Sequence, residues 1–196
     1  MNFDIILPTI GRDSLSLAVR SVIDQSYKGW RLYIIGDGVP DEEEITKIQL
    51  LDSRISTISI QPRADGYGSY ARNVGIGAGS SPWIAYLDDD DVFRSHHLAT
   101  FAEIQLKDPS VNMIRTYGQE FRMKHKHPRS TQKIRKLGII HTADILTVGI
   151  AHTRELIEKT NGWQPGVAHD RRLWYDMLQA GGNPVISEEV TFEFAR

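Results

Sequence analysis

Through its first 87 residues the chain alternates short apolar runs with segments of helical periodicity, and that alternation leaves few folds open. FDIILPT (3–9) is apolar and stopped by proline, which suits a buried strand. DSLSLAVRSVIDQSYKG (13–29) then puts Leu15, Ala18, Val19, Val22 and Ile23 at helical spacing, with Asp13 or Ser14 to cap it and Gly29 to end it. RLYIIGDG (31–38) reads as a strand and glycine turn, and DEEEITKIQLLD (41–52) as a helix with acids at its positive end. ISTISI (55–60) reads as a strand, GSYARNVGIGAGS (68–80) as a helix weakened by glycines, and PWIAYL (82–87) as a fourth strand. Strands alternating with helices build βαβ units around a parallel sheet, an α/β fold. Such sheets take ligands beyond the carboxyl ends of their strands. Three places then share one edge: Pro8-Thr9, Gly36-Asp37-Gly38, and Asp88 to Asp91.

The second half is less regular. HHLATFAEIQLK (96–107) reads as a helix, VNMIRTYGQEFRM (111–123) and ILTVGIAHT (145–153) as strand-like, RELIEKTNG (154–162) as a short helix and AHDRRLWYDMLQAGG (168–182) as a longer one. VISEEVTFEF (185–194) alternates like an edge or surface strand. No repeat and no clean linker separates 1–95 from 96–196, so the two halves are expected to pack as one compact domain. From Phe121 to Leu137 the chain carries seven lysines and arginines and no acid. A solvated loop is the ordinary reading of such a run, and a cationic flap over an anionic substrate or membrane surface is the functional one, through 122–136.

Composition narrows the chemistry. There is no cysteine, which excludes disulfides, thiolate zinc sites and cysteine nucleophiles and fits a reducing compartment. The net charge of −2 gives no field that points to nucleic acid. No apolar run reaches the ~18 residues of a membrane span, and the first residues lack a basic signal-peptide region. The expectation is a soluble, cytoplasmic protein.

The most unusual stretch is AYLDDDDVF (85–93), four carboxylates directly after a buried strand. On an extended stretch Asp88 and Asp90 point one way while Asp89 and Asp91 point the other. Two convergent carboxylates suit Mg²⁺ or Mn²⁺, which prefer oxygen ligands and share them with substrate phosphates. A calcium loop fits poorly, since its sixth position would be Phe93 and its twelfth Ala99. An aspartyl-phosphate enzyme would want its acids after the first strand. Asp91 can instead cap VFRSHHL.

Three segments resemble a known family in order and spacing: ILPTIGRDSLSLAVRSVIDQSYKGWRLYIIGDG, YARNVGIGAGSSPWIAYLDDDDVF and NGWQPGVAHDRRLWYDMLQAGG. They look like the motifs of the inverting glycosyltransferases of family 2, and the match spans nearly the whole chain. The resemblance implies a GT-A, Rossmann-like three-layer sandwich with a mostly parallel sheet, residues 1–95 forming the nucleotide-sugar half and 96–196 the acceptor half. It implies that Thr9, Asp37, Arg72, Asp88 and Asp89 contact the donor, with Asp37 accepting from the imide N–H of uracil or thymine. It implies that Asp90 with Asp88 holds Mn²⁺ or Mg²⁺ in a DxD element, and that Asp170 is the general base. An ordinary helix cap is the alternative for Asp170. Trp163 (a sugar stack or core), His152 (at a strand end facing the cleft) and His169 (a metal or phosphate contact, or a helix-end histidine) are candidates on the acceptor side. His96 and His97 are expected to face solvent, and Trp30, Tyr33 and Trp83 to pack in the core.

Departures from the family pattern are visible. Gly36 replaces the first of two acids, Val39 stands where serine is common, and His169 stands where the family has a glutamate. No Gln-x-x-Arg-Trp segment follows the base, which speaks against a processive synthase, and the chain is short for the family. A non-catalytic nucleotide or glycan module is the alternative of another class. A sugar-1-phosphate nucleotidyltransferase would need a glycine-rich basic loop, and PTIGRDS has one glycine and no lysine.

Overall fold

The computed structural model describes residues 1–39, 42–64, 67–121, 146–166 and 168–195. The basic run 122–136 lies outside them. Strands β1 (Phe3–Thr9), β2 (Trp30–Asp37), β3 (Ile55–Ile60) and β4 (Trp83–Tyr86) alternate with helices α1 (Leu15–Ile23), α2 (Glu42–Gln49) and α3 (Ser69–Ala78). Then follow β5 (Val92–Phe93), α4 (His97–Lys107), β6 (Met113–Phe121), β7 (Ile150–Thr153), α5 (Arg154–Glu158), α6 (His169–Gln179) and β8 (Pro184–Ala195). A short 3-10 turn, Thr147–Gly149, precedes β7.

All eight strands form one sheet in the order β3-β2-β1-β4-β7-β6-β8-β5. β1 pairs in parallel with β2 and β4, and β2 with β3, so the ends of these strands share one edge as the sequence implied. β7 runs antiparallel to both β4 and β6, while β8 joins β6 in parallel. β8 lies one strand in from the sheet's end, but the two-residue β5 covers its outer side only at Phe192 and Glu193, so most of its length keeps the edge character its alternation suggested.

Helices cover both faces, giving the α/β/α sandwich. Phe3, Ile5 and Leu7 of β1 pack with Leu15, Val19 and Val22 of α1, Ile48 of α2 and Phe101 of α4. Ile6 of β1 points to the other face, with Ala71 of α3, Leu156 of α5, and Leu173, Trp174 and Met177 of α6. This is the period-2 alternation of a strand buried on both sides. Gly75 lets α3 lie directly on β1, since a Cβ there would sit 2.6 Å from Ile6 Cγ2. Arg154 fastens the opposite edge: it donates to Asp4 Oδ2 at 2.7 Å, to the Ile76 carbonyl at 2.7 Å and to the Ser81 carbonyl at 3.0 Å.

Helix α1 stops at Ile23, well before Gly29. The reason lies in Gln25, whose buried side chain donates to the carbonyls of Ser21 and Arg94 and accepts from the Leu98 amide at 3.0 Å. That last bond satisfies one of the amides left open at the start of α4. Asp91 does not cap α4, which begins later at His97 with His96 at its cap position.

Two histidines depart from their expected places. His97 is fully buried, stacked on Phe93 with ring centroids 3.9 Å apart and bonded through Nδ1 to Thr191 Oγ1 at 2.6 Å. His96 alone of that pair is exposed. His152 does not face the cleft. It sits opposite Ile84 in the sheet, fully buried, with Nε2 2.7 Å from the Tyr86 hydroxyl. The antiparallel sense of β7 carries it into the sheet interior.

Among the described residues no helix is long and apolar enough to cross a membrane.

Burial lowers His97 from 6.5 to about 3 and His152 from 6.5 to about 4. Below about pH 6.5 the unfolded chain therefore binds protons that the folded chain refuses, so stability is full above that pH and falls on acidification. Each histidine contributes a slope of about 1.4 kcal/mol per pH unit. Urea unfolding at pH 7 and pH 5 should differ by about 4 kcal/mol through these two groups, and His97→Phe should remove roughly half of that slope. A flat profile between those pH values would contradict the buried neutral state.

Candidate active site

At the shared strand edge lies a cleft of about 720 Å³. Its walls are Thr9 at the end of β1 and Arg12 beyond it, Asp37 at the end of β2, Arg63 and Ala64 beyond β3, Arg72 on α3, Asp88 to Asp90 beyond β4, and His169 at the start of α6. Thr9, Asp37, Arg72, Asp88, Asp89, Asp90 and His169, all candidates from sequence, thus face one space.

The acidic run is not extended. β4 ends at Tyr86 and the chain folds into a turn in which the Asp91 amide donates to the Asp88 carbonyl at 3.1 Å. The pleat expected to alternate the four carboxylates is absent, and Asp89 does not face away. Its side chain, only 3% exposed, accepts from Thr9 Oγ1 at 2.7 Å, from the Ile10 amide at 3.3 Å and from Arg12 Nη1. Arg12 Nη1 also lies 3.3 Å from Asp90, whose side chain is 40% exposed. Burial pushes the Asp90 carboxyl above its usual range, and Asp88 and Asp89 add to that against the opposing pull of Arg12.

On the other side of the turn Arg72 Nη2 binds Asp88 Oδ1 at 2.5 Å. Arg72 is itself buried, donates to the Tyr67 carbonyl at 3.0 Å and lies over the Trp163 ring at 4.8 Å. Trp163 is 1% exposed and meets Tyr86 edge-on at 5.1 Å. It therefore cannot offer a face to an acceptor sugar and instead forms the floor beneath Arg72. Asn73 fixes it from α3, donating to the Trp163 carbonyl at 2.8 Å and accepting from its amide at 2.9 Å.

Asp37 accepts from the Ala64 amide at 2.6 Å, which ties the ends of β2 and β3 together. The approach depends on Gly38, at φ +67°, where a Cβ would lie 2.4 Å from that of Arg63.

Helix α6 reaches the cleft through His169, whereas Asp170 is not among the residues that line it. His169 is its first residue, with Nδ1 3.2 Å from the Gly166 carbonyl and its ring stacked with Tyr67 at 6.2 Å. Asp170 follows in the first turn, half-buried, with Oδ1 accepting from the Arg171 amide at 2.8 Å. The cap position is Ala168, so Asp170 is not the N-cap.

Arg12 and Tyr67 escaped the sequence reading. Arg12 could have been found by asking which cation lies on the loop facing four acids. Tyr67 is 72% exposed at φ 55°, uncommon for a side chain other than glycine, and had no local signal.

Residues fit to hold a divalent cation are present in part. Among the described residues no group of three or more His, Asp or Glu side chains is arranged to hold a metal ion by itself. Magnesium-type ions are commonly held by one or two carboxylates together with substrate phosphates. Asp88 and Asp90 on the cleft wall, with Asp90 crowded by like charges, match that donor set.

Comparison with known proteins gives four findings. The sequence profile described as "Glycosyl transferase family 2" matches residues 4–160. The Escherichia coli UDP-Glc:alpha-D-GlcNAc-diphosphoundecaprenol beta-1,3-glucosyltransferase WfgD is 29% identical over 104 residues, 53% of this chain and 40% of that protein. The Staphylococcus aureus TarS 1-349 structure in complex with UDP-GlcNAc superimposes on the whole chain with a TM-score of 0.80 at 12% identity, covering 59% of that structure. The Pyrobaculum calidifontis mannosyltransferase PcManGT in complex with GDP-Man and Mn²⁺ does so with a TM-score of 0.75 at 15% identity, covering 56% of it. The chain thus spans less than two thirds of these relatives, and the structural likenesses speak to fold.

The unequal burial of the acids gives a test. Asp89→Ala strands the Thr9 hydroxyl, the Ile10 amide and the Arg12 guanidinium, and should cost about 3 kcal/mol in urea unfolding without added metal. Asp90→Ala removes a crowded, part-exposed charge and should stay within about 0.5 kcal/mol of the parent. Equal losses would contradict the arrangement.

Proposed function

This chain belongs to glycosyl transferase family 2, and on that premise we propose that it moves a sugar from a nucleotide-diphospho-sugar to an acceptor hydroxyl with inversion. The observation that carries the reading is the meeting of Asp37, Arg72, the acidic turn and the start of α6 around one cleft. UDP or dTDP is the proposed carrier. Asp37, closing the end of β2, accepts a hydrogen bond from the imide N–H of the base. Thr9 and Asp89 shape the floor below the donor, and Asp88 lies toward the ribose. Arg72, backed by Trp163, presents a guanidinium suited to a dianionic diphosphate. The first half of the chain, 1–95, supplies these groups, and 96–196 supplies the acceptor side through α6.

Asp90 with Asp88 would hold Mn²⁺ or Mg²⁺. Such an ion, when bound, supplies positive charge against the charge that develops on the leaving diphosphate. The chain's own chemical work falls to Asp170. Its carboxylate takes the proton of the acceptor hydroxyl as that oxygen forms its bond to the anomeric carbon. The bond from that carbon to the diphosphate oxygen breaks on the opposite face, and the nucleoside diphosphate departs with the electron pair. His169, beside the base and stacked on Tyr67, orients this wall of the cleft. The acceptor is a glycan or a lipid-linked sugar, the second in keeping with the diphosphoundecaprenol named for WfgD. On that reading the protein works at a membrane surface.

Thermal shift with UDP- and dTDP-sugars, with and without Mn²⁺, tests donor binding. A ligand at 100 times its Kd adds about 2.7 kcal/mol of stability. Asp170→Asn should lower transfer and slow donor hydrolysis by about 10²-fold or more while leaving nucleotide affinity in place. Nucleotide binding without turnover in the parent would favour a non-catalytic module. Turnover that survives Asp170→Asn would move the base elsewhere.

A further inference from the structure

We propose that Arg12 is the resident counter-ion of the acidic turn, a positioning residue that is exchanged off Asp90 when a divalent cation enters. Cation loading is then a replacement of one positive charge by another, not an addition to an open pair of carboxylates. The inference rests on the metal-dependent reading above and concerns only what Arg12 does toward that cation.

The geometry divides the two arginines paired with the acidic turn by exposure and contacts. Arg72 is buried, held by the Tyr67 carbonyl and the Trp163 face as well as by Asp88, and has nowhere to go. Arg12 is 47% exposed and touches two acids unequally. Its contact with the buried Asp89 is close, whereas its contact with the part-exposed Asp90 is 3.3 Å. Asp89 is also held by Thr9 and the Ile10 amide, so it remains satisfied whichever way Arg12 swings. Asp89 is therefore the pivot and Asp90 the releasable end.

The backbone fixes this pivot. Gly11 at φ +84° turns the chain so that its own amide donates to Thr9 Oγ1 at 3.0 Å, and the next residue, Arg12, faces the acidic turn. A freed guanidinium would stay tethered at Asp89, within the same cleft as the incoming diphosphate. It offers five donors in a fork that suits phosphate oxygens.

The test is Mn²⁺ binding without nucleotide, read by electron paramagnetic resonance, on the parent, Arg12→Gln and Arg12→Lys. Arg12→Gln should bind Mn²⁺ about two- to fivefold more tightly, the range expected for a part-exposed ion pair no longer competing, and should melt lower than the parent in the absence of metal. Arg12→Lys keeps the charge and should bind Mn²⁺ within about twofold of the parent. A general structural role would weaken Mn²⁺ binding in the Gln variant instead, and an unchanged or weakened affinity overturns the proposal. If the Gln variant does not fold, the Arg12 guanidinium N–H signal of the unaltered protein decides by NMR: its exchange with water should quicken on adding Mg²⁺, and no change overturns the exchange. Should Mn²⁺ bind neither protein even with UDP, the metal-dependent reading itself fails. If the parent binds Mn²⁺ with UDP and Arg12→Gln behaves identically, only the role of Arg12 falls.

Discussion

The balance of charge at the end of β4 governs the site. Adjacent carboxylates a few ångströms apart repel by about 4 kcal/mol per pair at the effective dielectric of a protein surface. The fold answers with two cations from different parts of the chain. Arg72 arrives from α3 and Arg12 from the loop after β1, and each takes a different member of the run. The Thr9 hydroxyl and the Ile10 amide complete the shell of Asp89, which lets that carboxylate be buried where an unpaired charge would be prohibitive. Without these partners the turn would open, and Thr9, Asp88 and Asp90 would no longer share a wall.

That balance is set on a rigid platform. β1, β2 and β4 are buried along nearly their whole length, so their ends cannot shift independently. The far edge is closed by the ion pair of the buried Asp4 with the part-exposed Arg154. Beneath Arg72 the contacts run from Trp163 to Tyr86 to His152, an aromatic and polar chain reaching into the sheet. Its members do not touch the cleft but decide where the guanidinium stands.

Much of this was legible in the sequence, and the failures have physical reasons. The parallel half of the sheet followed from period-2 and period-3.6 apolar patterns, which are local. The convergence of Thr9, Asp37 and Asp88 followed from the rule that parallel strands end together. The pairing of β8 with β6 was not readable, because it joins segments remote in the chain. Asp89 was misplaced because the pleat was extended past the last ladder bond of β4, where a turn had already begun. His97 and His152 carry no local mark of burial: a single imidazole in an apolar stretch reads the same whether its nitrogens meet water or Thr191 and Tyr86. Arg12 was passed over since its partner lies 77 positions away.

Gly38 has a consequence for how the molecule could be altered. A side chain at that position would run into the Cβ and Cα of Arg63, so the exits of the second and third strands lie close together there. Any substitution that needs more room between positions 37 and 63 would find no slack there. Redesign would have to begin at positions 63 and 64, letting that loop retreat first, with the glycine left untouched.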